Sequence, residues 1–297
     1  VFYLLLTILA NVAIFMSFRS FSKFKINTFP AIITNYAVCV ITGTLYAGFS
    51  NVHERADFNA DWFYAAAFLG LVFVSTFYLM ARTTQLRGVA VATVASKMSL
   101  AIPVLFSLFI FKIAGNELDA LNYAGILLAF VAILMVSKKE RTNNEKVKLT
   151  LGYIALPLAV FIMGGVIDTS LNYINLSMLT EEIEVVFPIF IFSFAFLFGL
   201  IMALIQKVKF NWKDILGGIY LGVPNFFSIF FQLKALSAFN NNGAILYPSL
   251  NIGIIILSTL LAIVFFKEKL SRINYIGVGL AVIVIILLSH QEISNSL

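Results

Sequence analysis

The chain of 297 residues is 61% hydrophobic and only 11% charged, with a mean hydropathy of +0.99 and a formal net charge of +6. About a quarter of the residues in a soluble globular domain are charged, so this composition excludes that class and describes a polytopic, all-α integral membrane protein. One cysteine, Cys39, excludes an internal disulfide and any cysteine-built metal or iron–sulfur centre.

Ten apolar segments follow one another: Val1–Phe18, Phe29–Phe49, Trp62–Ala81, Gly88–Phe111, Ala120–Ser137, Leu149–Tyr173, Val185–Ile205, Ile215–Leu233, Gly243–Phe266 and Ile273–Ser289. The first begins without a basic stretch or a small-residue cleavage site and reads as a span rather than a signal peptide. It carries Thr7 and Asn11, the second carries Asn35, Cys39 and Thr42 at helical spacing, and the third presents Phe77 and Tyr78. The fourth, GVAVATVASKMSLAIPVLFSLFIF, is 24 residues long and holds one charge, Lys97, well inside it. At about 1.5 Å per residue a helix of this length crosses a hydrocarbon core of about 30 Å, with Lys97 roughly 13 Å from its Gly88 end. An ammonium at that depth costs at least about 2.5 kcal/mol on the insertion scale and marks a functional site by default. Its face holds Ala90, Thr93 and Ala101, small side chains expected to leave space beside it. Lys97 reads as a contact for a substrate carboxylate or phosphate, or as a charge that pairs with an acid. The plainer reading is a structural lysine bonded to backbone carbonyls beside Pro103.

The sixth segment holds Asp168, the one acid inside a span, in an i, i+4, i+7 stripe with Asn172 and Asn175. Coupling transport to protons or another ion needs such a carboxylate; the plainer reading is an aspartate in a watery outer vestibule. By rise along the helix Asp168 lies nearer the membrane surface than Lys97, so a direct pair requires a tilted or broken helix. On the eighth segment Asn225, Ser228 and Gln232 share a face, and the ninth opens on Tyr247, Pro248, Ser249 and Asn251. Phe226, Phe227 and Tyr247 join Phe77 and Tyr78 as aromatics able to stack on a substrate, with core or lipid packing as the plainer role. Half of the polar stripes are expected to be interhelical hydrogen bonds. Asn240–Gly243 reads as a turn. The two histidines, His53 and His290, have no metal-spaced partner, and no Walker-type stretch occurs. No metal, cofactor or enzyme centre is therefore expected.

The second half repeats the first. A constant shift of 152 places Asn122, Tyr123 and Gly125 on Asn274, Tyr275 and Gly277, and also pairs Gly70 with Gly222, Arg82 with Lys234, Ala129 with Ala281 and Ser137 with Ser289. The same shift sets Lys97 on Ser249, so the halves differ chemically there. The organisation reads as a five-span repeat over 1–137, a linker over 138–148, a second repeat over 149–289 and a tail over 290–297. Five is an odd number, so the repeats must be inverted around a central cavity, with a substrate site at their interface. Sixteen Lys and Arg fall in the odd-numbered connections and three in the even-numbered ones. The positive-inside rule then puts the odd connections and the linker in the cytoplasm and both termini outside. The basic residues are spread over five short loops, which removes nucleic acid as a partner.

At the fourth and fifth spans of each half the chain resembles the EamA branch of the drug/metabolite transporter superfamily. The residues that carry the resemblance are Phe266-Lys267-Glu268-Lys269-Leu270 with Asn274-Tyr275-Ile276-Gly277, and Gly115-Asn116-Glu117-Leu118 with Asn122-Tyr123-Ala124-Gly125. The resemblance implies a ten-helix carrier of two inverted five-helix bundles that moves small metabolites, amino acids or drugs, often outward. Two features depart from it: the second connection, Ser50–Asp61, is acidic, and Glu117 is displaced by one position. The turn glutamates accordingly read as helix-turn anchors. The expected function is a secondary transporter in a bacterial inner membrane, exporting an anionic or zwitterionic metabolite, as a monomer or homodimer. Its expected contacts are Lys97, Thr93, Asn11, Tyr78, Asn225, Gln232, Tyr247, Ser249 and Asn251, with Asp168 for coupling. The alternative is a membrane scaffold or a subunit of a lipid-modifying enzyme, whose repeats serve packing alone.

Overall fold

The computed structural model describes residues 2–102, 120–137, 151–184, 186–238, 243–288 and 290. The linker 138–148, Pro103 and Glu117 lie outside these, as do the side chains of Asn122, Asn172, Asn175, Tyr247 and Pro248. The described residues form helices α1 (Phe2–Phe24), α2 (Thr28–Ala47), α3 (Phe49–Glu54), α4 (Asp61–Arg87), α5 (Val89–Met98), α6 (Ala120–Ser137), α7 (Leu151–Ser177), α8 (Glu181–Glu184), α9 (Phe187–Ile205), α10 (Trp212–Ala238), α11 (Gly243–Phe266) and α12 (Arg272–Leu288), with no strand among them. Seven are long and apolar enough to cross a membrane, and three further apolar helices are shorter. The chain is thus a multi-pass helical membrane protein. In their described residues nine of the ten apolar segments of the sequence each fall on one helix; α3 and α8 are short helices within connections.

One segment differs from expectation. The fourth does not run as one helix from Gly88 to Phe111: α5 stops at Met98, and Ser99–Leu100 form a turn. The cause is legible in the sequence three residues past that turn. Proline at 103 has no N–H to give the Ser99 carbonyl four residues back, and Ser99 O instead accepts from Ile102 N at 2.9 Å.

Packing between the two halves is reciprocal. Helix α10 packs on α1 and α2, while its repeat mate α4 packs on α7 and α9; α1 packs on α11, while α7 packs on α5; and α6 packs directly on α12. The glycines show the same reciprocity at atomic scale. A Cβ on Gly277 would meet Val136 Cγ2 at 2.7 Å and Met135 Cβ at 2.9 Å, and one on Gly125 would meet Leu288 Cδ2 at 3.0 Å and Leu287 Cβ at 3.4 Å. Met135 and Val136 map to Leu287 and Leu288 under the same 152-residue shift, so each α-helical start docks on the other's end. Small residues at these crossings let backbones approach where lipid supplies no hydrophobic drive.

Asn274 explains why the second Asn-Tyr-x-Gly stretch holds an asparagine. Its amide donates to Met135 O at 3.0 Å and Val136 O at 2.8 Å, the carbonyls left open at the end of α6, and its Oδ1 accepts from Ser271 N at 2.8 Å. Asn274→Ala is expected to cost about 1–3 kcal/mol, because buried carbonyls lose their donor; thermal unfolding of purified protein reads the change.

Two cores result. One gathers Phe15, Phe18, Tyr36, Phe73, Phe77, Phe192 and Leu221 from α1, α2, α4, α9 and α10. The other gathers Val94, Met98, Ile133, Ile255, Ala281 and Ile285 from α5, α6, α11 and α12. Helix α5 belongs to both, through Val89, Ala92 and Ala95 on one side and Ala90, Val94 and Met98 on the other. Among the described residues the first, third, seventh and ninth connections meet at one end, through Arg19 with Gln85 and Glu268 and through Asn27 with Asp214. Lys25 and Lys207, at φ 55° and 53°, end α1 and α9 in the left-handed conformation, where a cation also suits the helix dipole.

Candidate functional site

The site grows from the seam between the two cores. On α7, Gly164 and Gly165 bring the helix against the broken end of the fourth span: a Cβ on Gly164 would sit 3.0 Å from Ser99 Cβ, and one on Gly165 would sit 2.5 Å from Ile102 Cβ. This approach places Ser99 beside Asp168, one turn along α7. Ser99 Oγ lies 2.8 Å from Asp168 Oδ2 and 2.6 Å from Ser96 O.

A serine hydroxyl has one proton, and here two acceptors face it. With Asp168 ionised, Ser96 O and the carboxylate share that proton. With Asp168 protonated, the carboxyl donates to Ser99 Oγ and Ser99 Oγ donates to Ser96 O, so every position is filled. The arrangement accommodates Asp168 in either charge state without moving a side chain.

Lys97 lies two residues before Ser99, half-buried, and its ammonium makes no hydrogen bond among the described residues. Asp168 is within electrostatic range of it. The ion pairs closer than 4.0 Å among the described residues are Arg19–Glu268 and Arg55–Glu182, so Lys97 and Asp168 face each other without closing into a bridge. Asp168 is itself exposed on the protein surface. The break at Ser99 is the interruption of the span that a direct pair of these two charges requires, and here the pair is not closed.

The remaining expected contacts separate into different places. Thr93 is fully buried and its hydroxyl accepts from Ser258 Oγ of α11 at 3.1 Å. Ala90 and Ala101 are buried with it, so this face carries helix packing, not the open space expected beside Lys97. Small side chains at that spacing served close approach of α5 and α11 instead. Asn225 is 2% exposed and donates to Asn35 Oδ1 at 3.1 Å and to Cys39 Sγ at 3.5 Å, tying α10 to α2 in the core. Asn11 donates to Thr7 O of its own helix at 3.0 Å. Tyr78 is 40% exposed and meets Phe29 edge to face. Phe77 and Phe226 are buried among aromatics and unavailable for stacking on a ligand. Gln232 and Ser249 are half-buried, Asn251 is 8% exposed, and the side chain of Tyr247 is outside the described residues.

Sequence reading missed Ser99 and the glycine pair. The signals were present: Gly164-Gly165 one turn before an intramembrane acid marks a close crossing, and Ser99 lies four residues before Pro103, which has no N–H to give its carbonyl.

No family model matches the chain. An uncharacterised protein of Haemophilus influenzae is 29% identical over 282 residues, which span 93% of this chain and 93% of that protein. A solved crystal structure of a protein matches with a TM-score of 0.59 at 15% identity, covering 98% of this chain and 99% of its own. This likeness concerns the fold alone, and it runs from end to end rather than over one half.

Proposed function

We propose that the chain is a secondary transporter of the EamA type, with ten spans in two inverted five-helix repeats and a substrate site on Lys97 at the seam between them. The reciprocal glycine contacts of α6 and α12, and the swapped packing of α4 and α10, support a pseudo-two-fold relation between the halves. The observation that carries the functional reading is Lys97, a cation inside an apolar span with no hydrogen-bonding partner among the described residues. An ion in that position is retained for something it meets, since packing alone gains nothing from it. Its counterpart is a small organic metabolite with a negative group, and Asp168 is the coupling acid because its Ser99–Ser96 relay serves both of its protonation states. An exposed aspartate inside a span faces a water-filled space, not hydrocarbon. The charge bias supports a bacterial inner-membrane orientation with odd connections inside; the resemblance to the EamA branch is what favours export.

The test is counterflow and gradient-driven uptake in proteoliposomes against a panel of labelled carboxylates and amino acids. Lys97→Ala is expected to lower flux of the transported compound about tenfold or more, the loss of one charge-assisted contact. Asp168→Asn is expected to keep counterflow and to lose uptake driven by a pH gradient. Wild-type flux in both variants would remove the site.

A further inference from the structure

Among the described residues, the contacts that tie the halves together differ between the two ends of the bundle. At the odd-connection end, Val89 N–H donates to both carboxylate oxygens of Glu268, in the turn between α11 and α12, at 3.0 and 3.1 Å. The same carboxylate pairs with Arg19 Nε of α1 at 3.2 Å, and its side chain is only 6% exposed. Arg19 in turn donates to Gln85 O at 3.2 Å and Thr84 O at 3.4 Å, carbonyls of the last turn of α4. Gly88, at φ 102°, lets the chain turn between α4 and α5 with the carboxylate against it: a Cβ there would meet Glu268 Oε2 at 3.0 Å. One arginine and one glutamate thus hold together the ends of three elements of the first half and one turn of the second.

A second tie stands at the same end. Asp214, 1% exposed at the start of α10, accepts from Asn27 N of the first connection at 2.7 Å and from Asn211 N at 3.1 Å. At the even-connection end the described charge contact between the halves is Arg55 with Glu182, at 3.7 Å, with Glu182 75% exposed. An exposed pair in water contributes little, whereas a carboxylate buried on a backbone N–H and a guanidinium cannot separate cheaply. In the sequence the 152-residue shift puts Asn116 in place of Glu268 and Asn240 in place of Gly88, positions that lie outside the described residues.

We propose that Arg19, Glu268 and the Gly88–Val89 turn form a latch that holds the odd-connection end shut, and that this conformation is the one open toward the even-connection end. Releasing Glu268 frees the start of α5, which leads two and a half turns later to Lys97, from the second half. The latch thereby joins the gate to the helix that carries the proposed contact. The inference uses the transporter reading for its purpose but not for its geometry.

Pulsed EPR on the full chain in lipid nanodiscs tests it without any substrate, in a Cys39→Ala background. One label pair, at Lys23→Cys and Lys269→Cys, spans the latched end, and another, at Ser50→Cys and Thr180→Cys, spans the opposite end. All four positions are exposed. Arg19→Ala and Glu268→Gln are each expected to add a population about 5 Å or more longer across the first pair, the scale of rigid-body gating. The double variant is expected to match either single one, and Arg19→Lys to restore the short distance. If the second pair shortens in step, latch and alternating access both stand. If the first lengthens while the second stays fixed, the latch stands and the transporter reading falls. Unchanged distances across the first pair in both single variants, or a broad spread at both ends that marks a loosened fold, would overturn the latch.

Discussion

Replacing Lys97 with methionine is expected to make this protein more stable and inactive at once. The ammonium is half-buried in an apolar span and has no hydrogen-bonding partner among the described residues, so folding gains little from it. A central lysine costs about 2.5–3.5 kcal/mol on the insertion scale, and partial exposure reduces what can be recovered to about 1–2 kcal/mol. Methionine keeps the length of the stem and fills the same volume without the charge. Thermal unfolding of the detergent-solubilised variant should therefore move upward by a few degrees, while binding and flux of the anionic compound fall about tenfold or more. The opposite outcome is equally informative. A loss of stability beyond about 1 kcal/mol would show that the lysine is structural, because removing a partner of a buried group leaves that group unsatisfied.

The second large effect concerns the crossings that hold the halves together. A Cβ on Gly70 would lie 2.5 Å from Phe194 Cβ and 2.8 Å from Ala195 N, and one on Gly222 would lie 2.7 Å from Val38 Cβ and 2.8 Å from Asn35 O. Neither backbone can retreat without separating the helices, so Gly70→Val and Gly222→Val are each expected to cost about 3 kcal/mol or more, the upper end for overpacking. These two glycines are repeat mates, and their partners correspond as well: Asn35 and Val38 map to Ile191 and Phe194 at a common offset of 156. Comparable losses at the two sites would follow from that correspondence. Gly279 supplies the control. A Cβ there meets nothing within 4 Å, so Gly279→Ala should be neutral or stabilising by about 0.5–1 kcal/mol through helix propensity. Fluorescence-detected size-exclusion chromatography after heating reads all three. A Gly70→Val protein as stable as Gly279→Ala would refute the crossing.

Much of this architecture is legible in the amino-acid order because oil imposes it. A span must be apolar over its length, so the ten segments could be drawn from hydropathy alone, and their ends agree with the helices to within a few residues at most positions. The repeat was legible for a different reason. Gly125 and Gly277, and Asn274 at the head of its helix, serve backbone approach and carbonyl capping, tasks few other residues perform, so the same letters recur at the same spacing. Lys97 and Asp168 stood out because charges are costly in a span.

What lay beyond the sequence was the identity of the facing surface. A polar stripe says that a helix face avoids lipid, but Thr93 and Asn225 satisfy that demand on Ser258 and on Asn35 with Cys39, in packed seams. Lys97 satisfies it on a half-open seam, and no periodicity distinguishes the two cases. The order of residues determined the apolar spans and the intramembrane charges, since each follows from the cost of burying backbone and ions in hydrocarbon. The tertiary structure decided which polar groups pair and which stay open, through contacts between residues 69 to 249 positions apart, such as Ser99 with Asp168, Arg19 with Glu268 and Asn35 with Asn225. Such pairings depend on how helices from the two halves cross, and no local stretch of chain encodes that geometry.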